Sequence, residues 1–159
     1  MPEWPLEVEN EEIIVRGLCS PYHWSVSKNK LKPEAFEPTP GTDEVSVMRY
    51  VILNANGCKE KAKAIADPSE NKIYQGVACL RASAIRSAGV DVVDSRIEYL
   101  GHADIKLGIS RPTNGDPPSP QDVKRLRQIG KDLLKITKTY LDPNPASETW
   151  SGESMLPPN

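Results

Sequence analysis

Apolar and polar positions alternate in short runs along most of this chain, and one long stretch changes to a helical period. Residues 12–19, EIIVRGLC, carry three β-branched residues in sequence and predict a strand. Residues 43–53, DEVSVMRYVIL, predict a second, with Val45, Val47 and Arg49 on one face and Ser46, Met48 and Tyr50 on the other. Residues 73–80 (IYQGVACL) and 90–95 (VDVVDS) predict two more, and 96–109 holds one or two further strands. Short helices are expected over 58–66, stopped before Pro68, and over 81–89, ended by Gly89.

Between the first two strands, Pro21, Pro33, Pro38 and Pro40 leave room for no more than one helical turn, KPEAF, with Pro33 at its first position. Residues 110–120 read as a loop. The longest periodic element follows: Ser119 suits an N-cap and Pro120 the first helical position, and Leu126, Ile129, Leu133, Ile136 and Tyr140 step by three and four. That helix is expected to stop before Pro143. The pattern as a whole predicts an α+β fold, a small mainly antiparallel sheet with short helices and a long C-terminal helix packed on it. Residues 1–11 are expected to form an acidic N-terminal lead, 12–143 a single domain and 144–159 a mobile tail without periodicity.

Composition narrows this picture. The chain has 159 residues, 38% of them hydrophobic, with 15 prolines spread through internal loops as well as the ends, so the core must be modest. A net charge of −2 and a pI near 5.8 argue against a generally basic nucleic-acid binder, though not against a local basic patch. No run of 18 apolar residues predicts a membrane span, and the acidic first dozen residues lack the apolar core of a secretory signal. Cys19, Cys58 and Cys79 are widely spaced and odd in number, which suits reduced thiols in a cytoplasmic protein better than a disulfide framework or zinc ribbon.

Phosphate-loop, dinucleotide-binding, nucleophile-elbow and zinc-protease motifs are all absent. The two histidines, His23 and His102, are the chief chemical candidates. Imidazole serves as acid or base near neutral pH, so His23 and His102 with Arg49 as cation compose one conceivable metal-independent nuclease or nucleotide-transfer site. His102 and Asp104 share a strand face and offer two metal ligands at most, so no metal or other cofactor is expected. Tyr22 and Trp24 are recognition aromatics that, on an extended segment, share a face while His23 points the other way.

The stretch YHWSVSKNKLKPEAFEPTPGTDEVSVMR, with GVACL and HADI further on, resembles a loose family of small bacterial proteins. Its members carry a His, a P-x-A-F-x-P segment, SV-x-R, a GV-A-x-L strand, a short helix bearing an Arg, and HA followed by a polar residue and Ile. The resemblance covers roughly residues 20–108. The family often has a Pro-rich approach to HA, where this chain has EYLGHAD. It implies a shared compact fold and a polar pocket from His23, Arg49, Arg86 and His102, in accessory genes of toxin or defence islands, and no known reaction. The binding residues expected are therefore Tyr22, His23, Trp24, Arg49, Arg86 and His102. The leading expectation is a non-enzymatic interaction module of a bacterial defence system, CRISPR-like or toxin-type. Its partner would be another protein, with a phosphate-bearing ligand or RNA as further possibilities and no membrane.

Overall fold

The computed structural model describes residues 3–113, 116 and 119–157. In chain order these residues form β1 (Ile13–Ser20), β2 (Trp24–Ser25), β3 (Lys30–Leu31), a 3-10 turn (Pro33–Phe36), β4 (Glu44–Arg49) and α1 (Tyr50–Ile65). A second 3-10 turn (Pro68–Glu70) precedes β5 (Ile73–Arg81), α2 (Ala82–Ser87), β6 (Asp91–Asp94), β7 (His102–Lys106), α3 (Pro120–Lys135) and β8 (Lys138–Leu141). Six strands make one antiparallel sheet in the order β6-β7-β4-β1-β5-β8, and β2 pairs β3 in a separate two-stranded ribbon. The fold is α+β, with the C-terminal helix packed on the sheet.

Strand alternation assigns the two faces. One carries Ile14, Leu18, Val45, Val47, Ala78, Leu80, Ala103 and Ile105, buried beneath Ile85 of α2, Phe36 of the first 3-10 turn and Ile129 and Leu133 of α3. The other carries Val15, Met48, Val77 and Cys79, buried beneath Cys58 and Ala62 of α1. Gly17 lets α1 sit close, because a Cβ there would lie 2.8 Å from that of Ala62. Gly76 does the same for β8: its φ is 147°, and a Cβ would run into the Tyr140 carbonyl.

Four expectations are corrected. The strand expected over 43–53 ends at Arg49, and α1 begins at once. Val51, Ile52 and Leu53 look like strand residues, but Asn54 (φ 57°) interrupts the helix and its Oδ1 accepts from the Asn56 and Gly57 amides, restarting it. The long helix stops at Lys135 rather than before Pro143. Thr137 caps it by bonding the Leu133 carbonyl at 2.6 Å, and residues 138–141 pair with β5.

The 144–159 stretch, expected as a mobile tail, packs on the body over its described residues. Met155 is 1% exposed, and Tyr140 Oη donates to the Leu156 carbonyl at 2.5 Å. Lys59 Nζ, wholly buried on α1, donates to the Asn144 and Thr149 carbonyls and pairs with Asp142 at 2.9 Å. The N-terminal lead is also integrated, since Val8 is buried and joins the first core. No helix among the described residues is long and apolar enough to cross a membrane.

Candidate binding cleft

The cleft opens where β1 and β4 part. They pair only at Ile14–Arg49 and Val15–Met48. Beyond that point Arg16, on the inward face between Ile14 and Leu18, takes the place of the missing ladder. Its Nη1 donates to the Ser46 carbonyl and its Nε to the Ala35 carbonyl, both at 2.9 Å. The gap becomes a cleft of about 820 Å³, walled by β1, the start of the 3-10 turn, the C-terminal end of α1 and the 70–72 turn. Arg16, Lys32, Lys72 and Arg111 line it, with Glu34, Glu37 and Glu70.

Neighbouring carboxylates partner two of those cations. Lys72 meets Glu70 at 3.1 Å and Arg111 meets Glu37 at 3.1 Å. Lys32 donates to the Pro21 carbonyl at 2.9 Å. Among the described residues, Arg16 and Lys32 have no carboxylate partner. Burial lowers the Arg16 pKa to about 10, and nearby Cys19 partly offsets this, so the guanidinium stays charged at neutral pH.

His23 stands on this cleft, half-buried, where its amide bonds back to the Cys19 carbonyl at 2.8 Å. Its Nδ1 lies 3.2 Å from the Cys19 amide nitrogen, which donates to it, and 3.6 Å from Cys19 Sγ. Its Nε2 lies 3.3 Å from Arg16 Nη2. Burial first, and then the charges of Arg16, Lys72 and Lys32, push its pKa down to about 3, so the ring is neutral at pH 7. The same burial raises the Cys19 thiol above its ordinary value, with Arg16 and Lys72 opposing.

The other predicted residues do not gather here. Arg49 is sealed in the sheet at 0% exposure, bonded to Glu12 at 2.8 Å, Asp94 at 2.7 Å and the carbonyls of Pro5 and Glu7. It anchors the N-terminal lead and is not a pocket cation. Arg86 has a similar duty, reaching Asp91 Oδ1 at 2.9 Å, Asn10 Oδ1 at 2.6 Å and the Val92 carbonyl. Trp24 is buried and Tyr22 is exposed at the cleft rim, so the two do not share a face as expected. A turn at residues 21–23 interrupts the extended backbone that the expectation required.

His102 opens on a different recess of about 330 Å³, on the part of the second sheet face that α1 leaves bare. Its Nε2 lies 3.2 Å from Ser46 Oγ, its Nδ1 bonds the Ser95 hydroxyl, and Tyr99 packs edge-on with ring centres 5.0 Å apart. Burial raises the neighbouring Asp104 carboxyl above its usual range, against the lowering effect of Ser95. Among the described residues, no three His, Cys, Asp or Glu side chains come together to hold a metal ion. The two histidines are joined indirectly: His23 touches Arg16, Arg16 bonds the Ser46 carbonyl, and Ser46 Oγ meets His102.

Comparison with family models, with curated proteins and with solved structures returns no significant match. The cleft must therefore be read from its own chemistry. The residue that the sequence reading passed over is Arg16. Its signal was a charged side chain at an inward position of a strand, between Ile14 and Leu18.

Proposed function

We propose that this chain is a non-enzymatic interaction module whose binding face is the cleft at the β1–β4 split. The observation that carries the reading is the cleft's composition: a floor cation, Arg16, without a carboxylate partner among the described residues, below a rim where Tyr22 and Ile65 are 48% and 58% exposed. A tyrosine beside a half-buried arginine belongs to the residue types that carry most of the binding energy at protein interfaces, and Ile65 adds apolar area. The partner is another protein that inserts an acidic or phosphorylated group. A regulatory place in a bacterial defence system rests on the family resemblance alone, and a cytoplasmic setting on the three free cysteines.

The alternative, a metal-independent nuclease or nucleotide-transfer enzyme using His23, Arg49 and His102, draws less support. Arg49 is spent on Glu12 and Asp94, and the histidines face different recesses. A His23 ring held near pKa 3 is also a weak base at neutral pH.

Affinity capture with the full chain and with Tyr22→Ala, compared by mass spectrometry, tests the interaction reading. A partner held by the native chain and lost by a Tyr22→Ala protein of unchanged melting temperature supports it. Capture indifferent to Tyr22, or turnover of RNA by the purified native chain, overturns it.

A further inference from the structure

The ring of His23 sits among more hydrogen-bond donors than it can satisfy. The Cys19 amide and Arg16 Nη2 both point at it, and the neutral ring adds one N–H of its own. Two external N–H groups thus compete for one ring lone pair, whichever nitrogen carries the proton, and the ring's own N–H needs an acceptor of its own. Among the described residues Cys19 Sγ, at 3.6 Å, is the only other acceptor that meets a ring nitrogen, and it is a weak one. With the Cys19 amide donating to Nδ1, the ring proton lies on Nε2 and faces Arg16 Nη2 across 3.3 Å, donor against donor. An anionic oxygen placed on the cleft side of that pair accepts from both.

We propose that the group held at this point is a phosphate monoester, its oxygens bridging His23 Nε2 and Arg16 Nη2 with Lys32 alongside. The inference rests on the reading of this cleft as the binding face. Arg16 uses its Nε and one Nη1 bond on carbonyls, so N–H groups on both terminal nitrogens remain for a ligand with several oxygens. Arg16 and Lys32 are two cations without carboxylate partners among the described residues, and the three terminal oxygens of a phosphate monoester can meet both of them and the His23 ring at once where a carboxylate has only two. Glu34 lines the same cleft without an ion-pair partner among the described residues and works against the ligand, leaving one positive charge in excess. The volume, about 820 Å³, exceeds a bare phosphate and leaves room for the molecule or side chain that bears it.

The phosphate can come from a small organic phosphate or from a phosphorylated side chain of a partner, and the test separates them. The native full chain is titrated with inorganic phosphate, O-phosphoserine, a nucleoside monophosphate and acetate at matched ionic strength, followed by amide and imidazole NMR. Saturable shifts at the Cys19 and His23 amides are expected, with the two monoesters binding at least about tenfold tighter than acetate, and the His23 titration moving upward with phosphate bound. Lys32→Met keeps the aliphatic stem and removes the charge, and should weaken binding several-fold in a folded protein. Arg16→Gln should abolish it.

Tighter binding of the nucleoside monophosphate assigns a small-molecule source, and tighter binding of phosphoserine assigns a modified partner. Weak shifts scattered over surface lysines, equal response to acetate, or indifference to Lys32→Met overturns the proposal. If phosphate does not bind but Tyr22→Ala still loses the protein partner, only the phosphate inference falls. If phosphate binds and capture ignores Tyr22, only the interaction reading falls.

Discussion

Arg16 Nη1 donates to the Ser46 carbonyl at 2.9 Å, where a continuous sheet would place a backbone amide of β1. A side chain thus completes the ladder and keeps the strands apart, which is what makes the cleft. Arg16→Met should leave the Ser46 and Ala35 carbonyls without their protein donor and lower stability by roughly 1–3 kcal/mol, because water in the cleft can replace only part of what is lost. Urea denaturation measures this. An unchanged midpoint would mean that the strands close directly on one another when the guanidinium is gone.

His23 carries a pH dependence with a defined sign. Its folded pKa is about 3, against about 6.5 for an unfolded histidine. The unfolded chain therefore binds the extra proton between those values. The contribution of His23 is fully present above pH 6.5 and is lost as pH falls towards 3, at up to about 1.4 kcal/mol per unit. Arg16 and Lys72, whose charges face the ring, remain cationic throughout and Cys19 remains a thiol, so none of these three masks the effect. His23→Gln should flatten the stability profile between pH 6.5 and 4.5, above the main carboxylate range. An equal slope in both proteins would show that the ring titrates normally.

How much of this was legible in the sequence differs by element. Alternation in EIIVRGLC and EVSVMR identified β1 and β4 and put Val45 and Val47 on one face, because strand faces follow a strict period of two. The step of three and four through Leu126, Ile129 and Leu133 likewise identified the buried stripe of α3. Tyr140 was misread as part of that helix, since a strand residue that returns to the core satisfies the same spacing by accident. The site was half legible. A cation beside His23 was expected, but the cation is Arg16. Arg49 lies on the same face of the sheet, and only the distant Glu12 and Asp94, each brought in by the fold, show that its charge is already matched. No local pattern reveals such pairings.

The buried stripe of α3 is open to a direct test. Leu133 is wholly buried among the first core cluster, so Leu133→Ala should cost roughly 2–5 kcal/mol. Thermal melts with no loss would mean that the helix does not seal the sheet in solution.

The C-terminal segment should be needed for stability. Truncation after Pro145 removes Met155 from the second core and the Thr149 carbonyl from Lys59 Nζ, a fully buried ammonium. A buried methionine lost to a cavity costs roughly 2–5 kcal/mol, before any penalty for the weakened Lys59 cluster. A melting temperature that stays put on truncation would return these residues to the role of a free tail.

Arg49 separates structure from function most sharply. It has no exposure, and its two carboxylate partners, Glu12 and Asp94, are also nearly buried. Removing one member of such a cluster strands an unbalanced buried charge and typically costs about 3–5 kcal/mol. Arg49→Met should therefore lower stability by roughly that amount, leaving Glu12 without its cation and Asp94 held by Arg96 alone, and loosening the lead that hangs on Arg49 through the Pro5 and Glu7 carbonyls. Proteolysis near the N-terminus should quicken in the same variant. Binding at the cleft, measured on the fraction that remains folded, should be retained, since no Arg49 atom lines it. A variant of native stability that has lost binding would put Arg49 back in the site.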